Sequence, residues 1–258
     1  MNSIPVIGTA VVNSPYWVHR LIASVDYPVD NFVIFNNNGR GQITEELDTI
    51  AKLSHAYIKK ITVCHLPANI GLPAVFNLII KSYLNSPSWL MVNYEVAFNP
   101  GFLEEMVKEA SDPEVGMVFG KKGDFDLPAF DVFMIKDWVV QKHGLFDENF
   151  YPAYCEDADY LMRLYNSPVK QVKGISKGFY HGTSTDYYEG GSQTAKTEPE
   201  LAVKLNEVNL VNFEYMNKKW GEGWRYVSPY SSPFNESSMP LSTTTYDLEF
   251  CRRKYLGF

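Results

Sequence analysis

The sequence predicts an α/β fold in three layers, with helices on both faces of a mostly parallel central sheet. Three observations predict it. Short apolar runs of strand length alternate with amphipathic runs of helix length over the first two-thirds of the chain. The strand-length runs are apolar throughout rather than on every second residue, as in parallel strands covered on both sides. Each run closes on a cluster of Asn, Gly, Pro or Ser, the residues that make turns.

Taken in order, Ile4 to Val12 is a β-branched run that reads as a buried strand, and Asn13-Ser14-Pro15 is a turn and helix-start signal. Trp17, Leu21 and Ile22 then recur at helical spacing. Asn31 to Phe35 is a second strand, closed by Asn36-Asn37-Asn38-Gly39. Glu45 to Ser54 is helical by composition, and Ile61 to Leu66 is a third strand. After Asn69-Ile70-Gly71 a helix is expected over Pro73 to Tyr83, with Pro in its first turn. Trp89 to Val92 is a fourth strand. Pro100 to Ala110 is an amphipathic helix with Phe102, Leu103, Met106, Val107 and Ala110 on one side. Val115 to Phe119, Phe130 to Ile135 and Gly174 to Tyr180 read as further strands, and Leu201 to Trp220 as a late helix. Beyond about Thr183 the chain turns rich in Gly, Ser, Thr, Tyr and Pro. The expected organisation is a core over residues 1–183 and an extension over 184–258 that packs on or over it, within one domain.

The 258 residues give ample length for a buried core. A net charge of −7 argues against a nucleic-acid partner, which needs a basic face. The three cysteines, Cys64, Cys155 and Cys251, form no C-x-x-C pair and suit reduced thiols. The segment Met1 to Thr9 lacks the marks of a signal peptide, and no run of about 18 apolar residues suggests a membrane span. The expected location is therefore cytoplasmic.

Ligands of open α/β sheets bind at the carboxyl ends of the strands. Four segments stand there: Gly8 to Asn13, Asn36 to Gly39, Asn69-Ile70-Gly71 and Asn93-Tyr94-Glu95. Asn and Gly also make ordinary turns, but these segments offer amide side chains, which suit a uracil edge or ribose hydroxyls. No P-loop is present, and Gly39-Arg40-Gly41 is too short for a dinucleotide fingerprint.

With a helix starting near Cys155, Asp157 falls in its first turn and, with Leu161 and Leu164, on its inward face. Asp159 and Arg163, four apart, are expected to pair on its surface. An inward carboxylate can accept a proton from a hydroxyl, although acidic residues also favour helix starts for dipole reasons. His181 precedes a Gly/Ser/Thr loop and is a candidate metal ligand; His19, His55, His65 and His143 read as structural. Lys170, Lys173 and Lys177 could help to neutralise a diphosphate, or form a solvated strand edge. Tyr187, Tyr188, Trp220, Trp224 and Tyr226 could stack on sugars or be buried.

Together these segments resemble family 2-type glycosyltransferases. The resemblance covers about residues 4–183. It rests on Asn69-Ile70-Gly71 with its helix and Asn77, on the strand leading to Asn93-Tyr94-Glu95, on Phe146-Asp147-Glu148, on Glu156-Asp157-Ala158-Asp159-Tyr160 with Arg163, and on His181-Gly182. It implies the GT-A fold. It implies inverting transfer of a sugar from a nucleotide-sugar, UDP-linked, to a hydroxyl of a glycan or other acceptor. In that reading Thr9, Val11, Asn37, Asn69, Gly71, Asn77 and Asn93 bind the donor. Glu95 and His181 hold Mn²⁺ or Mg²⁺, Asp157 is the base, and Glu156 orients the acceptor or the base. The family triplet usually ends in Asp; Glu95 is still a hard oxygen ligand, and Asn93 removes one negative charge. Two rivals remain: a catalytically inactive nucleotide- or glycan-binding module, and a sugar-nucleotide pyrophosphorylase. The second needs a Gly-rich basic loop where Val12-Asn13-Ser14 stands.

Overall fold

The structure, a computed structural model, describes residues 2–38, 41, 43–121, 128–172, 174–185, 191–225 and 228–242. Its strands are β1 (Ile4–Val11), β2 (Val29–Asn36), β3 (Ile61–His65), β4 (Ser88–Val92), β5 (Val96–Phe98), β6 (Val115–Gly120), β7 (Ala129–Lys136), β8 (Lys170–Val172) and β9 (Phe179–His181). Its helices are α1 (Tyr16–Ala23), α2 (Thr44–Ile50), α3 (Leu72–Ser82), α4 (Phe102–Ala110), α5 (Asp137–His143), α6 (Glu156–Asn166), α7 (Gln193–Thr197) and α8 (Pro199–Trp220). None of the described helices is long and apolar enough to cross a membrane. Two compact units are assembled from alternating stretches of chain. The first takes in Met1–Asn69, Ser86–Asp137 and Lys170–Thr197, and the second Ile70–Asn85, Trp138–Val169 and Glu198–Phe258.

The first unit holds a seven-stranded sheet in the order β3-β2-β1-β4-β7-β6-β8. The strands β3, β2, β1 and β4 are mutually parallel, and β6 is parallel to β8. Only β7 is reversed, antiparallel to both β4 and β6. The sheet is therefore mostly parallel, as the uninterrupted apolar runs require. In β1, β4 and β6 nearly every residue is buried, whereas β3 at the edge is only half-buried. Register brings Val11 beside Asn36 and Val92 beside Val132. The carboxyl ends of β1, β2, β3 and β4 thus share one edge with the amino end of β7.

The apolar stripe of α4 is the one its spacing predicts: Phe102, Leu103, Met106, Val107 and Ala110 are buried in the core formed by the strands and α1. Each large side chain so buried contributes about 1.5–3 kcal/mol. The expected strand over 174–180 is shorter and lies later. β9 pairs antiparallel with β5, Val96 facing His181, as a separate two-stranded ribbon. Pairing is possible only where β5 offers an edge, and that edge is three residues long.

The second unit packs Phe150, Met162, Met216, Trp220 and Trp224 into a smaller core. Gly71 opens α3 at φ +88°, where a Cβ would lie 3.0 Å from the Tyr151 ring and 3.2 Å from the Pro152 carbonyl oxygen. The position therefore demands glycine on both counts. The Leu72 N–H donates to that same Pro152 oxygen at 2.7 Å.

Two expectations for α6 need correction. Asp159 and Arg163 pair, but both side chains are fully buried. Lys219 Nζ reaches Asp159 Oδ1 at 2.6 Å and Asp147 Oδ2 at 2.7 Å, and the Trp220 indole N–H donates to Asp159 Oδ1 at 2.8 Å. Arg163 also donates to the carbonyls of His143 and Leu145. Arg163 and Lys219 make the burial of Asp159 and Asp147 tolerable, and neither carboxylate would be stable there alone. The buried face of α6 is thus formed by Glu156, Asp159, Tyr160, Met162, Arg163 and Leu164, while Asp157 and Leu161 are half-buried.

Candidate functional site

At the carboxyl edge of the sheet in the first unit, the Val11 carbonyl accepts the Asn37 N–H at 2.7 Å, and Asn37 Nδ2 donates to Asn69 Oδ1 at 3.1 Å. Three of the expected donor-binding residues are therefore joined. Thr9 is fully buried on β1, and its hydroxyl has no partner among the described residues. Asn36 and Asn37 end β2 with buried amides because turn-forming Asn residues follow a strand whose apolar face is covered.

Asn93-Tyr94-Glu95 follows β4 directly. Asn93 is held twice by Asp131, its N–H donating to the Asp131 carbonyl at 2.8 Å and its Nδ2 to Asp131 Oδ1 at 3.0 Å. The Tyr94 hydroxyl donates to Asn13 Oδ1 at 2.6 Å and lies 2.6 Å from Thr194 Oγ1. Glu95, 2% exposed, accepts on Oε1 from the Thr194 N–H at 2.7 Å, the Thr194 hydroxyl at 2.8 Å and the Ser192 hydroxyl at 3.4 Å. Its Oε2 faces His181 Nε2 at 3.2 Å. The other ring nitrogen, Nδ1, lies 3.4 Å from Asp131 Oδ1. Gly182 follows with φ +68°, its N–H donating to the Glu95 carbonyl at 2.9 Å and its own carbonyl accepting from Arg20.

The electrostatics follow from these contacts. Burial by itself would raise the Glu95 pKa. The hydrogen bonds from His181 and Thr194, with the His181 charge, outweigh it and hold the carboxyl below its ordinary range. Burial, and then the Glu95 charge, push Tyr94 well above its usual value, so its hydroxyl keeps the proton.

Two carboxylates and an imidazole are a donor set suited to a divalent cation. They flank His181 on opposite nitrogens, and among the described residues no three His, Cys, Asp or Glu side chains converge on one point. A cation that draws its remaining ligands from a diphosphate and water needs only one or two protein ligands. A pair containing His181 fits that requirement.

In the second unit α6 starts after Tyr154 and Cys155, both at left-handed φ. Glu156 is buried, and its Oε2 has no partner among the described residues. Burial, then the Asp157 charge beside it, push its carboxyl up to about 8. Asp157 is half-buried and accepts the Ala158 N–H at 2.7 Å. Asn77 is fully buried and holds α3 to residues 146–148: Nδ2 donates to the Phe146 carbonyl at 2.9 Å and to Glu148 Oε1 at 2.8 Å, and Oδ1 accepts the Phe146 N–H at 2.8 Å.

Of the candidate basic residues, Lys170 is paired with Asp112 at 2.5 Å and Glu114 at 3.7 Å. The Lys177 N–H donates to Glu105, and Lys173 lies outside the described residues. Tyr187, Tyr188, Tyr226 and Cys251 also lie outside them, and Trp220 and Trp224 belong to the second unit's core. Sequence reasoning missed Asp131 and Thr194. A carboxylate inside the apolar run 130–135 was the available signal for the first; nothing distinguished Thr194 in its polar stretch.

No family model matches the chain. A galactofuranosyl glycosyltransferase of Leishmania donovani is 21% identical over 281 residues, covering 79% of this chain and 64% of the relative. Among solved structures, GalNAc-T7 with UDP, GalNAc and Mn²⁺ matches at TM-score 0.66 and 11% identity, over 98% of this chain and 54% of that one. The mannosyltransferase PcManGT from Pyrobaculum calidifontis, in complex with GDP-Man and Mn²⁺, matches at 0.57 and 12%, over 68% and 56%. S. aureus TarS 1-349 in complex with UDP-GlcNAc matches at 0.55 and 14%, over 83% and 67%. The chain thus spans 64% of the curated relative's length and little more than half that of the first two structures. The fold is the GT-A fold expected from the sequence.

Proposed function

We propose that the chain transfers a sugar from a nucleotide-sugar, UDP-linked, to an acceptor hydroxyl of a glycan or similar molecule, with inversion at the anomeric carbon. The observation that carries the proposal is the buried Glu95–His181 pair directly after β4, on a sheet edge that also gathers Val11, Asn37 and Asn69. A glycosyltransferase relative and GT-A structures bearing UDP- or GDP-sugars support it.

In this reading the paired amides of Asn37 and Asn69, with Thr9, Val11 and Asn93, receive the nucleoside, and Gly71 and Asn77 shape the helix start that follows. A bound Mn²⁺ or Mg²⁺, held by His181 with a neighbouring carboxylate, supplies positive charge for the diphosphate. Asp157 takes the proton of the acceptor hydroxyl as its oxygen bonds to the anomeric carbon. The bond from that carbon to the diphosphate breaks, and the electron pair leaves with the nucleotide. Glu156, neutral at pH 7, donates its proton in a hydrogen bond that orients the acceptor or the base.

The test is release of nucleoside diphosphate from UDP- and GDP-sugars by wild type and Asp157→Asn, with nucleotide binding measured by calorimetry on both. Turnover in wild type, lost by about 100-fold or more in the variant at unchanged nucleotide affinity, supports the proposal. Nucleotide binding without turnover on any sugar, with or without acceptor, would identify an inactive binding module instead.

A further inference from the structure

We infer that Asp131, at the amino end of β7, is a direct ligand of the divalent cation together with His181 Nδ1, and that Glu95 stands behind the imidazole as the carboxylate that orients it. The inference rests on the proposed donor site and deepens it.

The hydrogen bonds around Glu95 argue for this order. Its Oε1 is surrounded by the Thr194 N–H and hydroxyl and the Ser192 hydroxyl, and its Oε2 faces His181 Nε2. Both oxygens are engaged inside the protein, on a side chain 3% exposed. The Asp131 side chain is 19% exposed, which makes it the more accessible of the two carboxylates beside His181. With Nε2 turned to Glu95, Nδ1 is the ring nitrogen placed to offer a lone pair to a cation. Nδ1 then faces Asp131 Oδ1 at 3.4 Å. That distance is longer than an N–H···O hydrogen bond. It is close to the spacing of about 3 Å between adjacent ligands of a divalent cation.

A histidine that binds metal through one nitrogen and donates from the other to a carboxylate is a recurrent arrangement, and it fixes the ring and raises its basicity. Asn93 completes the picture. It lacks the charge a carboxylate would bring, yet its Nδ2 donates to Asp131 Oδ1 at 3.0 Å. The charge missing from the triplet after β4 is supplied from the neighbouring reversed strand, and Asn93 positions it.

The experiment is a Mn²⁺ titration followed by the electron paramagnetic resonance signal of the free ion, at pH 7.5, with saturating UDP and separately with GDP. The proteins are wild type, Asp131→Asn and Glu95→Gln. Gln keeps one acceptor oxygen, which can serve His181 or Thr194 but not both, so its expected loss of Mn²⁺ affinity is about tenfold, that of a weakened orienting partner. Asp131→Asn is expected to lose at least about tenfold more than that. Wild-type Mn²⁺ affinity in Asp131→Asn, or the larger loss in Glu95→Gln, would overturn the assignment. Nucleotide binding by wild type with no dependence on Mn²⁺ would overturn it while leaving the donor site standing. Absence of both nucleotide and Mn²⁺ binding would remove the proposed function as well.

Discussion

Replacing Glu156 by Gln is expected to stabilise the protein, and increasingly so as the pH rises. The carboxyl is buried at the start of α6, Oε2 has no partner among the described residues, and its folded pKa is about 8 against an ordinary 4.5. Between those values the folded chain binds a proton that the unfolded chain has released. Folding stability therefore falls as pH climbs through that window, by about 1.4 kcal/mol per pH unit for one full proton. From pH 5 to pH 7.5 the cost of this one side chain is about 3 kcal/mol. Gln has nearly the same shape and no charge to lose, so the cost vanishes in the variant. Urea unfolding followed by circular dichroism at pH 5, 6, 7 and 7.5 reads the difference directly. The curves of wild type and Glu156→Gln should nearly coincide at pH 5 and separate steadily above it. Parallel behaviour across the whole range would refute the reasoning, because it would mean that the carboxyl is solvated or paired in the folded state.

Two further outcomes follow from buried charge in the second unit. Lys219→Met leaves Asp147 and Asp159 without their shared ammonium, and should cost about 3–5 kcal/mol in urea unfolding at pH 7; a loss under about 1 kcal/mol would show that Arg163 suffices. His143 is fully buried and neither ring nitrogen has a partner among the described residues. Burial, then the charges of Lys142 and Arg163, lower it to about 4. The unfolded chain takes up that proton first, so stability is complete well above pH 6.5 and falls as the pH drops towards 4, by about 3 kcal/mol. Thermal melts of wild type and His143→Phe from pH 4.5 to 7 should diverge only on the acid side.

The sheet was legible because a parallel strand covered on both faces has no choice but to be apolar along its length, and because the chain must turn at each end. The five buried residues of α4 could be read from spacing alone for the same reason. What escaped the sequence was set by partners far along the chain. Asp159 and Arg163 look like a surface pair until Lys219, Trp220 and Asp147 arrive around them. Glu156 and Asp157 are adjacent, and only packing decides that the first is buried and the second half-exposed. At the strand edge Glu95 and His181 were legible as an acid after a strand and a histidine before a glycine. Thr194, which gives Glu95 two of its hydrogen bonds, comes from a stretch with no periodicity to betray it.

The reversal of β7 carries a consequence for how such a site can vary. Strands that run with the sheet deliver their last residues to the ligand edge, and the loops that follow them set what is bound. A reversed strand delivers its first residues to that edge instead, and here they include Asp131. Its register is locked by Phe133 and Met134 facing Met91 and Leu90. A slip of one residue would turn Asp131 to the other side of the sheet. An insertion within β7 would therefore remove Asp131 from the edge even if the sheet still formed.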